Sequence, residues 1–396
     1  MGAGAVLVGG AVAWGPVVVP QVVRFPAGTH QRAEYAGTFV TFVDASTGAT
    51  LATPRTETLA IDRFVDSVAG RTGARTATVS ERVVARIGDR TDNQTRDYTL
   101  DRRSMRNVAT GAAGSYYVTL PLGFDETDVS FSMYKPETGT TYRIFTAPAA
   151  PTEELAGLRV TRLAGTLAAT PVSAAYRDVL TAQGLPMELT PAQVAAQLAA
   201  AGVPVESIGA LNAILTADEQ ATLADALSKP VPLQYFAYGS GSVAAEHNTG
   251  MMVQLRDIVD GISVKPDLSG LGPLVGILER HRDLAPVAGA LDALNATATA
   301  PATPVYELRY TQTPASVKAT ADDVRAQLRS LRLVADAPYV LAVAGVALAA
   351  LGTRRRLRWQ QQQQPTAAPV RGVAVARSSP RRSPASHRPL HGGTAR

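Results

Sequence analysis

The chain has 396 residues, 46% of them apolar, a formal net charge of +5 and no cysteine. That is enough apolar material for one large domain or two ordinary ones, so a wholly disordered chain is not expected, and the missing cysteines exclude a disulfide framework, a thiolate nucleophile and thiolate-bound metal. Ten arginines and no acidic residue lie in 354–396, which leaves the first 353 residues at net −5 and argues against a nucleic-acid surface on the main domain.

Residues 1–24 open the chain with an apolar run that carries no charge before Arg24. A cleaved signal peptide with Ala11-Val12-Ala13 as its small-residue site is one reading. However, the apolar run continues from Val17 to Val23, and no basic region precedes it. A retained transmembrane helix or signal-anchor over 1–24 is therefore expected, with Trp14 as its interface residue. The missing basic region also fits a start upstream of Met1.

Residues 25–186 read as the β-rich part of an outer domain. GTFVTFV at 37–43 is rich in β-branched and aromatic residues, and in ATVSERVVARI at 77–87 the residues Ala77, Val79, Val83, Ala85 and Ile87 share one strand face that Glu81 interrupts. Three stretches end in Thr-Gly between strand-like runs: DASTG at 44–48, KPETG at 135–139 and EHNTG at 246–250. Gly48, Gly139 and Gly250 then supply the positive φ of three hairpin turns.

Residues 187–295 take a helical period. Thr190-Pro191 and Thr216 with Glu219 are helix starts, the second a capping box. Strand character returns near 232–265, so the helices read as an insertion in a β framework, and YGSGS at 238–242 reads as a flexible loop. Residues 296–336 carry a final strand and then a helix, expected to begin at Thr320 and to lead to the membrane.

Residues 337–353, APYVLAVAGVALAALGT, are seventeen uncharged residues. As a helix they rise about 25 Å, at the short end of what spans a hydrocarbon core. Arg354, Arg355, Arg356 and Arg358, with Trp359, close the run as a positive-inside anchor does, which favours a transmembrane helix over a core helix. The basic tail, 354–396, has low hydrophobicity and no apolar period, so it is expected to be a disordered cytoplasmic tail. The fold class is thus α+β: an antiparallel β-rich extracytoplasmic domain with a helical insertion, flanked by N- and C-terminal transmembrane helices. Both termini are then cytoplasmic.

Enzyme signatures are missing. His30, His247 and His281 have no metal-ligand spacing, and no nucleophile elbow or phosphate loop occurs. No catalytic, metal or cofactor residue is therefore assigned, and Glu246-His247 reads as two surface residues at a turn rather than an acid-base pair. Asp92, Asp97 and Asp101 are the carboxylates that a glycan hydrolase would draw on.

Four stretches in order, VVVPQVVRFPAGTHQRAEYAGTFVTFVDASTG, DRRSMRNVA, YYVTLPLGFDETDVSFSMYKPETG and YTQTPASVKATADDV, followed by the last apolar segment, resemble the actinobacterial porin PorA-like envelope family. The resemblance runs nearly to residue 353 and departs at VAAEHNTG, where relatives tend to carry a Trp-Val-Asp-Pro type stretch. It implies an anchored extracytoplasmic protein and supplies no catalytic residues. The polar β part lacks the apolar outer face of a transmembrane barrel, so a pore made by this chain alone is not expected. The build of two anchors and one large outer domain is similar to that of class B scavenger receptors, an analogy of architecture only. The expected function is a non-enzymatic outer domain that binds or passes an amphiphile or meets an envelope partner, with the lipid bilayer as the partner of the anchors. The alternative is a cell-wall glycan hydrolase using paired carboxylates.

Overall fold

The structure is a computed structural model that describes residue 25 and residues 28–44, 49–109, 112–124, 129–146, 152–200, 213–283 and 285–362. The segment expected to be a first anchor, with Trp14, the expected turn residue Gly48 and everything beyond Gln362 lie outside the described residues. The chain divides after Pro338 into two units, taken separately below.

In the larger unit, β1 (His30–Val43), β2 (Thr50–Thr72), β3 (Thr76–Ile87) and β4 (Arg90–Asp101) form an antiparallel meander. After it come β5 (Ser130–Lys135), β6 (Thr140–Thr146), β7 (Thr152–Leu155), β8 (Leu158–Pro171), α1 (Ala174–Ala182) and the short β9 (Glu188–Leu189). The helices α2 (Pro191–Ala200) and α3 (Ala217–Ser228) precede β10 (Val231–Glu246) and β11 (Met252–Pro266). Then α4 (Gly272–Arg280), α5 (Ala285–Thr299), β12 (Thr303–Gln312) and α6 (Pro314–Gln362) complete the described chain. The main path of the sheet runs β4-β3-β2-β1-β12-β11-β10-β8-β6-β5, with β7 on β8 and β9 on β10. Every pairing is antiparallel.

The sheet curls into a half-barrel, and the segment 102–124 bridges its two edges. Asn107 pairs with Leu100 of β4 and Tyr116 with Met133 of β5, while Asn107 N donates to Ser115 O at 2.8 Å between them. The same segment turns Met105, Val118, Leu120 and Phe124 into a core with Val79, Leu100, Phe131 and Leu163, which plugs one end. Exposure records the result along the strands. On β3 Ala77, Val79 and Glu81 are buried while Val83, Ala85 and Ile87 are half-buried, and on β4 Leu100 and Tyr98 are buried, Arg96 and Gln94 half-buried and Asp92 exposed. The half-barrel is closed at the Leu100 end and open towards Asp92.

Gly250 sits where the plug docks. Its φ is +65°, its carbonyl accepts from Leu120 N and Thr119 Oγ1, both at 2.9 Å, and a Cβ there would lie 2.2 Å from Leu120 O. Gly250→Ala combines a left-handed backbone with a clash against backbone, so the expected loss of stability is about 2–5 kcal/mol. Gly184→Ala is the control: φ is +85° with nothing within 4 Å of the added Cβ, and about 1–2 kcal/mol is expected. Thermal unfolding of the two variants measures the difference.

At the open end, α1 and the chain after it pack Leu180, Leu185 and Leu189 on Val231, Leu233 and Tyr235 of β10. Ser173 caps α1, and Thr216 with Glu219 forms the capping box of α3. Helices α3, α4 and α5 share their own small core around Leu223, Ile277 and Leu291. The glycine-rich stretch 238–242, expected as a loop, is the middle of β10 instead. A Cβ on Gly239 would lie 2.5 Å from Val259 O, and one on Gly261 of β11 would lie 2.2 Å from the Tyr238 ring. The small residues permit close strand approach, so they build wall.

The last helix begins at Pro314 after Thr313, whose Oγ1 accepts from Ser316 N at 3.3 Å, six residues before the expected start at Thr320. Val317, Ala321, Val324 and Leu328 recur on one face and bury against Leu158, Val160 and Val253 on the outside of the sheet. Elsewhere that outside is charged. Asp62 binds Arg32 at 3.0 Å and Arg86 at 2.8 Å, and Arg71 meets Asp97 at 3.3 Å. A lipid-facing barrel wall is an apolar band with aromatic girdles, and the outer face of β1–β4 is the opposite.

In the smaller unit, α6 continues through Pro338 and the arginine cluster to Gln362. It is the helix among the described residues that is long and apolar enough to cross a membrane. Tyr339, Val343 and Val346 are 74%, 70% and 64% exposed. A core helix of this composition would have those side chains covered, so the exposure favours the membrane reading over the core reading.

Candidate functional site

The alternation of strand side chains puts every second residue of the curled sheet inside it. These inward positions enclose a cavity of about 670 Å³, within the range of small-molecule sites. Phe39, Ile61, Val83, Leu163, Leu255 and Leu308 supply apolar wall. On β10 Ala237, Gly239 and Gly241 line the cavity and add no long side chain to it. Seven of the chain's twelve tyrosines line the cavity, which makes its wall apolar in body and hydrogen-bonding at the tips.

Two polar clusters interrupt the apolar wall. On the floor, Arg63 Nε donates to Glu81 Oε1 at 2.6 Å, and Tyr117 Oη donates to Glu81 Oε2 at 2.7 Å. The pair is a product of register: Arg63 stands opposite Val83 and Glu81 opposite Val65, so the two are diagonal neighbours on one face. Glu81 is 2% exposed. Burial pushes the Arg63 guanidinium down, but the Glu81 charge and hydrogen bond together with Tyr35 and Tyr117 outweigh it and hold Arg63 above its ordinary value. Burial, then the Glu81 charge, raise Tyr117 well above the ordinary tyrosine value, so it stays a donor.

The second cluster crosses the cavity. Lys135 at the end of β5 meets Asp260 of β11 at 2.5 Å, although β6, β8 and β10 separate those strands in the sheet. Tyr310 Oη donates to the other Asp260 oxygen at 2.7 Å. Glu137 lies 3.5 Å from both Lys135 and Arg96, so the cluster also ties β4 to the β5–β6 turn, the two edges of the sheet. Burial alone would lower Lys135, yet Asp260 and Glu137 outweigh it and raise it. Burial likewise pushes Asp260 up, and Lys135 and Tyr310 more than reverse that, so its carboxyl is held below the usual range. Asp260 keeps 31% of its side chain accessible, and it faces the cavity.

The sequence-predicted residues fall elsewhere. Gly139, with φ +68°, closes the β5–β6 turn and Gly250 the β10–β11 turn. Arg354, Arg355, Arg356, Arg358 and Trp359 are exposed on α6. Asp92 lines the cavity mouth, whereas Asp97 is on the opposite strand face, bound to Arg71, and Asp101 accepts from Arg103 N, Ser104 N and Ser104 Oγ in a turn. Those three carboxylates do not converge. Glu246 is buried and takes four hydrogen bonds from Asn248 and Thr249, and His247 packs edge-on against Phe124. The pair closes a turn rather than forming an acid-base couple. Among the described residues no group of acidic and histidine side chains is arranged to hold a metal. Arg63, Arg96, Lys135, Glu137 and Asp260 were not singled out in the sequence. Charged residues at inward-parity positions of otherwise apolar strand faces are the signal that finds them, and of these Glu81 alone stands out as an interruption.

A curled antiparallel sheet around a tyrosine-lined cavity, in a chain that also carries a long, exposed apolar helix, defines a membrane-associated α+β protein. The chain belongs to the porin PorA family, whose pattern, described as Porin PorA, matches residues 1–354. No curated protein matches it. Membership and the apolar helix together support a porin-like protein of the cell envelope.

Proposed function

We propose that the chain is a two-span plasma-membrane protein whose main domain lies outside and holds an amphiphile in its cavity, without catalysing a reaction. The observation that carries this reading is the cavity of about 670 Å³, closed at one end, apolar over much of its wall and edged by polar groups. The arginines at 354–358 support a cytoplasmic C-terminus by the positive-inside rule. The charged outer face of β1–β4 supports a domain surrounded by water, with transport through its interior rather than a pore around it. An envelope partner that delivers or receives the amphiphile belongs to the same reading.

Organic extracts of the purified full chain, analysed by mass spectrometry, should contain an amphiphile in stoichiometric amount. Ala85 is half-buried and lines the cavity, so Ala85→Trp fills the space and should reduce the bound amphiphile at least fivefold with an unchanged circular dichroism spectrum. Equal recovery from both proteins would reject the cavity as the binding site. Empty extracts, together with glycan hydrolysis lost in Asp92→Asn, would replace the carrier reading with an enzyme.

A further inference from the structure

The charge inventory of the cavity narrows its ligand. Four cationic side chains, Arg63, Arg90, Arg96 and Lys135, and four carboxylates, Glu81, Asp92, Glu137 and Asp260, line it. The buried ones are matched internally: Arg63 with Glu81, Lys135 with Asp260, and Glu137 with both Lys135 and Arg96. At the mouth, Arg90 is bound to Glu57 at 3.0 Å. Asp92, also at the mouth, accepts from Gln94 Nε2 at 3.0 Å. Among the described residues no interior cation is left over for a carboxylate or phosphate, and no interior carboxylate for an ammonium. A charged head would enter only by breaking one of these pairs, and it would leave the displaced partner buried and uncompensated, which costs more than the new pair returns.

What the cavity leaves open is neutral. Tyr35 is 4% exposed and lines the wall, with its ring edge-on to Tyr310 at 5.6 Å; its hydroxyl oxygen faces the Arg63 guanidinium, which can only donate, and its own O–H has no acceptor among the described residues. Its O–H stands as a donor, which the oxygen of a ligand's alcohol group can accept. Buried polar groups in native proteins are rarely left without partners, so such a hydroxyl facing an apolar-walled space marks where a ligand's own polar atom belongs.

We infer that the cavity selects an amphiphile with an uncharged, hydroxyl-bearing head, such as a monoacylglycerol or an alkyl glycoside, over fatty acids and phospholipids of the same chain length. The inference rests on the proposal that the cavity holds an amphiphile. Selection follows from the charge balance, and affinity from the apolar wall, with Tyr35 as a specificity-determining residue.

The test is competition on the full chain held in amphipol, free of sugar-headed detergent, followed by native mass spectrometry. Three probes share a fourteen-carbon chain, about the length of common acyl groups: a monoacylglycerol, the free fatty acid and a lysophosphatidylglycerol. Free glycerol and glucose are run beside them. The monoacylglycerol is expected to bind at least tenfold tighter than either charged probe. Tyr35→Phe should weaken the monoacylglycerol about three- to tenfold, the worth of one neutral hydrogen bond, and leave the fatty acid unchanged. Fatty acid or lysophospholipid binding as tight as the monoacylglycerol would overturn the head-group selection while the amphiphile site stands. Binding of glucose alone would overturn both, and so would binding of none of the probes to a chain whose circular dichroism is native.

Discussion

Glu81→Leu is expected to destabilise the domain by about 3–5 kcal/mol, the range found when one partner of a buried ion pair is removed. The change strands Arg63, whose side chain is 19% exposed and whose Nε lies 2.6 Å from the lost carboxylate. It also removes the acceptor of Tyr117 Oη, a 2.7 Å bond on a ring that stacks with Tyr98 at 4.3 Å. Neither group gains a substitute nearby, since Glu137 and Asp260 are engaged with Lys135. The paired replacement Arg63→Met with Glu81→Leu removes both charges and should recover most of the loss, because a matched apolar pair replaces a buried ion pair at little cost. Thermal or denaturant unfolding of the single and double variants decides it. A double variant as unstable as the single one would mean that packing at Glu81, rather than its charge, carries the effect.

Val343→Asp with Val346→Asp is expected to send a reporter fused after Arg396 from the cytoplasm to the exterior. The two positions lie near the middle of the uncharged run, and both side chains are exposed on α6. An aspartate at a helix centre costs about 2.5–3.5 kcal/mol in membrane insertion, so two cost about 5–7 kcal/mol and outweigh the apolar contribution of so short a segment. A second reporter in the main domain completes the experiment. The mid-strand glycines at 239 and 241 are unsuitable for it, because an insertion there would break β10. Gly184, exposed in the turn after α1, accepts one. In the parent chain the two reporters should lie on opposite sides. An Arg396 reporter that stays cytoplasmic in the double aspartate variant would show that 337–353 does not span, whatever holds the protein at the membrane.

The two residues that matter most to the first experiment show how far the sequence can be read. Glu81 is visible as a charge in the middle of an apolar strand face, because a period of two is a local property of eleven residues. Its partner is not visible. Arg63 is eighteen positions earlier, and only the β2–β3 register makes the two diagonal rather than remote. Lys135 and Asp260 are 125 positions apart, and each reads alone as a charged residue facing water, Lys135 as the first residue of a Thr-Gly turn. Their contact exists because the sheet curls far enough for β5 to face β11 across the interior.

The misread glycines at 239 and 241 have the same origin. Glycine is a loop residue by local propensity, yet in β10 it is selected for what lies across the strand, and propensity yields to packing wherever the two conflict. The amino-acid order by itself determined the apolar segment at 337–353 with its arginine flank, the strand-rich and helix-rich stretches, the capped helix starts and the family, since each depends on composition or periodicity within a short window. The strand order, the plug made by 102–124, the cavity and its balanced charges were decided only in the tertiary structure. They depend on pairings between residues far apart in the chain, and a one-residue change of register would have turned every inward side chain outward.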